Sequence, residues 1–175
     1  MFEEFVQPVI DFVRQHEVWA APIVFALAFA ESLAFISLLV PAWGILVGIG
    51  VLIQTSGVNF WPIWIAGSLG AAMGDWLSYW IGRKLENTVQ HIWPLSKYPD
   101  MIPRGEAFIK KWGALGIFIG RFSGPLRATV PLVAGMFEMP FWRFQLANFL
   151  SAFVWAASLL LMGDVVAKGI KMIWG

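Results

Sequence analysis

The chain has 175 residues, of which 59% are hydrophobic and 13% charged, with a formal net charge of +1. Soluble domains are about a quarter charged, so this balance describes an integral membrane protein, and it offers no basic field for nucleic acid. Cysteine is absent, which removes disulfides and thiol chemistry; the two histidines, His16 and His91, are too few for a multi-histidine metal site, and no cofactor is expected.

In chain order, Met1 to Glu17 lacks a basic leader followed by an apolar core, so no signal peptide is expected. Phe5, Val6, Val9, Ile10 and Val13 alternate there with Glu3, Glu4, Asp11 and Arg14, which predicts an amphipathic helix lying in the membrane interface. Val18 to Ile53 is apolar except for Glu31 and is punctuated by Pro41, Gly44, Gly48 and Gly50. It reads either as a Pro-kinked spanning helix from Leu33 to Ile53 or as a re-entrant hairpin bending near Pro41. A turn at Gln54 to Asn59 precedes a transmembrane helix from Phe60 to Ile81, whose Gly67, Gly70, Ala71 and Gly74 form a small-residue face for close helix packing. Arg83 to Lys111 is the long polar segment, rich in Lys and Arg, and the positive-inside rule places it in the cytoplasm. Pro103 to Trp112 reads as a second interfacial helix. Pro140 starts a last apolar helix that is expected to end at Gly163-Asp164, leaving a short tail.

Between these elements runs KKWGALGIFIGRFSGPLRATVPLVAGMFEMPFWR, from Lys110 to Arg143. Each apolar arm flanking Arg121 and Arg127 covers only ~15 Å as a helix, half of a ~30 Å hydrocarbon core. As one helix, the segment would place both arginines near the bilayer centre at roughly 2.5–3.5 kcal/mol each. As a hairpin it would hold them at its tip, again at depth. Either way the cations need an anion. A guanidinium suits bidentate phosphate or carboxylate, and Ser123, Gly124 and Pro125 between the arginines free backbone groups that suit a phosphate nest. The alternative is that both arginines snorkel to a cytoplasmic rim.

Glu31 and Asp75 are the intramembrane acids. Glu31 must be held neutral or paired, which suits proton coupling or a structural salt bridge to Arg121 or Arg127. Asp75 cannot comfortably reach Arg83 along its own helix and must find its partner elsewhere; otherwise it snorkels to the interface.

The order repeats. Glu31 precedes Pro41 as Arg121 precedes Pro131, and PAWGILVG echoes PLVAG, which ends at Gly135. The expected fold is all-α: two re-entrant helical hairpins, each followed by a transmembrane helix, as an inverted repeat with interfacial helices. Pro41, Gly44, Pro125, Pro131 and Gly135 are the expected hairpin breaks. Residues 1–175 form one membrane domain, with unit one at about 1–82, a connector at 83–102, unit two at 103–164 and a tail at 165–175. Inverted repeats with broken helices mark transporters; the alternative is a chance likeness between glycine-rich apolar stretches.

Glu31-x9-Pro41, GDWLSYWIGR (Gly74 to Arg83) and GRFSGPLRATVPLVAG (Gly120 to Gly135) together resemble the DedA family, the bacterial branch of the SNARE-associated/VTT-domain superfamily. The resemblance implies opposed re-entrant hairpins, lipid transport and dependence on the proton motive force in the bacterial inner membrane. Bacterial relatives are implicated in returning undecaprenyl phosphate across that membrane, and eukaryotic ones are phospholipid scramblases. By position, Glu31 and Asp75 match family acids, and Arg121 and Arg127 match the arginine pair. Trp43 departs from the family, standing where many members have a second carboxylate. The expected function is flipping of an anionic lipid phosphate, with Arg121, Arg127, Ser123 and Gly124 binding it and Glu31 or Asp75 exchanging protons. A scramblase, or an assembly factor whose charges only pair helices, is the alternative. A membrane enzyme that processes lipid phosphates is the less expected alternative; a histidine-dependent phosphatase is disfavoured, since His16 and His91 lie in interfacial or loop segments. The expected partners are membrane lipids, with homo-oligomerisation left open.

Overall fold

A computed structural model describes residues 17–33, 46–51, 53, 58–84, 100–123 and 126–174. Its elements are α1 (Glu17–Ser32), α2 (Phe60–Lys84), α3 (Met101–Gly120), α4 (Leu126–Met136) and α5 (Phe141–Trp174), with a further helical stretch at 46–51. No strand occurs among the described residues, so the fold is all-α. The N-terminal amphipathic segment, most of the polar connector, and Pro41, Trp43, Gly44, Gly124 and Pro125 lie outside the described residues.

Local chemistry sets several ends. Asn59 caps α2, its side-chain oxygen accepting a bond from the Trp61 amide at 3.1 Å. Arg83 and Lys84 close the same helix, where cations complement the dipole. α1 ends at Ser32, and the Leu33 amide turns back to the Ala30 carbonyl at 3.2 Å. Residues 34–45, over which the kinked-helix and hairpin readings differ, lie outside the described residues. α3 joins the expected interfacial helix to the following apolar arm across a kink at Gly113, where φ is 52° and ψ −129°. α4 ends in a Schellman turn: the Met139 amide bonds the Ala134 carbonyl at 3.0 Å and the Glu138 amide bonds Gly135 at 3.1 Å, with Glu138 left-handed at φ 50°.

Two sequence expectations are corrected. Pro131 and Gly135, read as breaks, both lie inside α4. Packing against α2 holds the helix through the proline. The last helix does not stop at Gly163-Asp164 but continues to Trp174. Gly163 gives up its side chain to meet the backbone of Gly50, and Asp164 bonds Lys168 one turn on at 2.8 Å.

α2 is the central element, with α1, α4 and α5 packed on it; α3 packs on α4 and α5. α1 runs parallel to α2, with Val24 facing Gly67, Phe25 facing Gly70 and Phe29 facing Gly74. α5 runs antiparallel to it: Trp64 bonds the Phe153 carbonyl, Asn148 bonds the Ala72 carbonyl and Tyr79 stacks on Phe144. Gly82 and Gly135 set the approach of α2 and α4: a Cβ on Gly135 would collide with the Tyr79 carbonyl, and one on Gly82 with that of Leu132. Gly135→Ala is therefore expected to cost about 1–3 kcal/mol, read as a lower melting temperature of the purified protein by tryptophan emission. An unchanged melting temperature would show that the two helices can separate without loss.

Polarity is inverted relative to a water-soluble bundle. On α5 the outward side chains include Trp142 (80% exposed), Leu146 (66%) and Leu150 (56%), while Gln145, Asn148 and Ser151 are buried. On α2, Trp61, Ile65, Met73 and Trp80 face out, and Ser68, Asp75 and Ser78 face in. Apolar residues outside and polar residues inside suit a lipid surround. Among the described residues, one helix is both long and apolar enough to cross a membrane, Phe141–Gly169. α2 is long enough at 25 residues, but its glycines, serines and tryptophans make it less apolar.

Two apolar clusters fill the interior. One gathers Val24, Ala28, Ile63, Ala71, Ala152, Trp155 and Leu160; the other gathers Tyr79, Ile117, Val130, Val133, Phe144 and Ala147. A polar layer separates them: on α2 it falls at Asp75 and Ser78, and on α5 at Asn148 and Ser151.

A buried charge centre at mid-span

Arg121, the C-cap of α3, is buried, and two of its three guanidinium nitrogens bond to neighbouring helices. Its Nη2 donates to Asp75 Oδ2 on α2 and to Asn148 Oδ1 on α5 at 2.6 Å. Its Nε donates to Ser151 Oγ at 3.0 Å. Asn148 is fixed in turn, its amide donating to the Ala72 carbonyl at 2.9 Å and to Gln145 Oε1 at 3.2 Å. A buried ion pair persists only when such hydrogen bonds replace the water it lost.

Arg127, in the first turn of α4, belongs to a second set. Its Nη1 donates to Glu31 Oε1 at 2.6 Å, and its Nη2 to Ser32 Oγ at 3.1 Å. Its guanidinium lies over the Trp155 ring, 4.1 Å from the centroid, a cation–π contact strengthened by desolvation. Ser78 Oγ donates to the Ser32 carbonyl at 3.4 Å, tying the end of α1 to α2. This set links residues 96 positions apart.

Depth can be read from α5. Trp155 lies midway between Phe141 and Gly169, the ends of the membrane-length segment. Arg127 therefore lies level with the middle of that segment. Arg121, on Asn148 and Ser151, lies one to two turns nearer the Phe141 end. Among the described residues, Asp75 Oδ1, Arg121 Nη1 and Arg127 Nε are buried without a hydrogen-bond partner.

The structure thus assigns one acid to each arginine: Asp75 to Arg121 and Glu31 to Arg127. Arg83 does not reach Asp75; it donates to the Tyr79 hydroxyl at 3.1 Å, which itself donates to the Met139 carbonyl at 2.6 Å. Ser123 donates to the Ile119 carbonyl at 3.0 Å, and Gly124 lies outside the described residues. Sequence reading missed Ser32, Asn148, Ser151 and Trp155. The signal was present on α5, where Asn148, Ser151 and Trp155 fall at i, i+3 and i+7, one face of an otherwise apolar helix. Among the described residues, no group of His, Cys, Asp and Glu is arranged to hold a metal.

An all-α chain that turns apolar side chains outward and closes two ion pairs inside is a helical membrane protein with a charged centre. The chain belongs to the VTT-domain family, which matches residues 40–165 and so includes Asp75, Arg121 and Arg127. It is similar to inner membrane protein YabI of Escherichia coli (strain K12), with 34% identity over 162 residues, 92% of this chain and 63% of YabI. It is 32% identical over 162 residues to membrane protein BU139 of Buchnera aphidicola from Acyrthosiphon pisum, covering 93% of this chain and 63% of that protein. Inner membrane protein YqjA of Escherichia coli (strain K12) is 31% identical over 149 residues, 83% of this chain and 67% of YqjA. The chain thus spans about 63% of the length of the first relatives it matches. These likenesses make it a DedA-type membrane protein and support an inner-membrane location. No solved structure matches it.

Proposed function

We propose that this chain moves an anionic lipid phosphate, undecaprenyl phosphate foremost, across the bacterial inner membrane, exchanging protons as it does so. One observation carries the reading: the Arg127 guanidinium lies level with the middle of the membrane-length segment of α5, held by the end of α1, the start of α4 and Trp155. A permanent cation at that depth is costly unless it has a task or a partner. Here its partner is a carboxylate, a group that takes up a proton.

In the proposed cycle α1 and helical residues 46–51 form one re-entrant hairpin, and α3 and α4 form a second one of opposite orientation. Glu31 and Arg127 join their tips. Protonation of Glu31 releases Arg127 to a lipid phosphate, whose acyl chain remains in the bilayer. Deprotonation restores the internal pair and ejects the phosphate. Arg121 has a different part. Asp75, Asn148 and Ser151 already occupy it, so that pair locks α3 to α2 and α5 while the other one works. This favours a structural role for the Arg121–Asp75 half of the site.

The test is lipid flip in proteoliposomes, comparing undecaprenyl phosphate with a neutral glycerophospholipid, with and without a pH step. Glu31→Gln mimics the protonated acid. It is expected to bind anionic lipid but to lose the response to the pH step. An unchanged response in Glu31→Gln would make that residue structural and overturn the cycle. Equal flip of both lipids would support a scramblase instead.

A further inference from the structure

A second site lies away from the charge centre, where α3, the α4–α5 turn and the start of α5 enclose a cavity of about 360 Å³. Lys110, Gly113 and Ala114 line it from α3, Phe137 and Met139 from the turn, and Arg143 from α5. Its level in the membrane is marked on both sides. Trp112 on α3 and Trp142 on α5 are exposed beside it, and Lys111 lies over the Trp112 ring at 5.6 Å. Exposed tryptophans are enriched at the headgroup level of a membrane.

The lining itself carries two cations, Lys110 and Arg143, and one anion, Glu106. Lys110 is paired with Glu106, also in the lining, at 2.5 Å. Arg143 is exposed and has no ion pair or hydrogen bond through its side chain among the described residues. Glu138 is exposed on the neighbouring turn. The backbone is also unusual. Gly113, which lines the cavity, has a positive φ of 52°. No atom lies within 4 Å of where a Gly113 Cβ would stand, so the kink faces open space.

We infer that this cavity holds the phosphate headgroup of an anionic membrane lipid. Arg143 makes the bidentate contact, Lys110 turns from Glu106 to supply a second cation, and Phe137 and Met139 line the wall for the first carbons of the lipid. The volume falls in the range of small-molecule sites, and a guanidinium at the headgroup level matches phosphate by charge and shape. The inference requires the chain to lie in a membrane; it does not require transport.

The absence of cysteine permits a local probe. Ala107→Cys, exposed on α3 beside the cavity, carries a bimane label on the full chain in neutral detergent. The ligands are dioctanoyl phosphatidic acid, dioctanoyl phosphatidylcholine and inorganic phosphate. Phosphatidic acid is expected to give a saturable change, with the other two at least about tenfold weaker, and Arg143→Gln is expected to weaken it about fivefold or more. Arg127→Gln should leave the titration unchanged. Equal affinity for phosphatidylcholine, or no effect of Arg143→Gln, overturns the site. Equal affinity for inorganic phosphate makes it an anion site and overturns the lipid. Weakening by Arg127→Gln alone moves the lipid to the charge centre. Loss of flip in proteoliposomes with this titration intact would count against the proposed function and leave the headgroup site standing.

Discussion

Asp75→Ala is expected to cost about 3–5 kcal/mol of stability, because it leaves the Arg121 guanidinium buried with its charge uncompensated. Asn148 and Ser151 would remain as neutral acceptors, but neither carries the opposing charge. The loss should appear in a denaturant titration of the purified protein and as low abundance in the membrane. Asp75→Leu combined with Arg121→Met removes both charges and is expected to recover most of the loss, since apolar side chains of similar volume often replace a buried pair. The double variant also separates the two arginines by role. If Arg121 is a lock, flip survives in it; if Arg121 holds the phosphate, flip is abolished although the protein is stable.

Arg127→Lys is expected to slow flip by at least about tenfold, nearly as much as Arg127→Ala, with abundance unchanged. Arg127 uses separate nitrogens for Glu31 and Ser32 and sets its guanidinium carbon over the Trp155 ring at the same time. An ammonium is a point donor that cannot reproduce this planar fork or present it to a phosphate. Loss of one charge-assisted hydrogen bond is worth about 1.5–3 kcal/mol, which sets the tenfold floor. Full activity in the lysine variant, measured as initial flip rate at equal protein, would reduce Arg127 to a simple charge.

Much of this site was legible in the sequence because membranes make charge conspicuous. Arg121, Arg127, Glu31 and Asp75 each interrupt an apolar run, and the glycines of α2 announced a close helix contact that Gly70 and Gly74 do make with α1. The separation of Asp75 from Arg83 also followed from helical geometry alone. The pairing did not. Which acid meets which arginine depends on how α1 and α2 pack against α3 and α4, and those partners lie 46 and 96 residues apart. Pro131 and Gly163 misled for a related reason. Read locally, a proline breaks a helix and a glycine ends one; here Pro131 is buried within α4, and Gly163 allows α5 to touch residue 50. Asn148 and Ser151 were overlooked because a polar residue in an apolar helix shows its purpose only once its neighbour is known.

The stacking of Arg127 on Trp155 gives the protein an optical gauge of its own. Of the eleven tryptophans, Trp19, Trp61, Trp76, Trp80, Trp112 and Trp142 face outward, whereas Trp155 is buried with a cation 4.1 Å from its ring centre. The excited state of an indole is sensitive to a charge that close. With the other ten tryptophans replaced by phenylalanine, a change in the Trp155 signal would report the departure of the guanidinium in real time, without a label. A pH jump followed by stopped-flow emission would then give the order of events, and show whether the arginine leaves its ring before the lipid arrives or is drawn off by it.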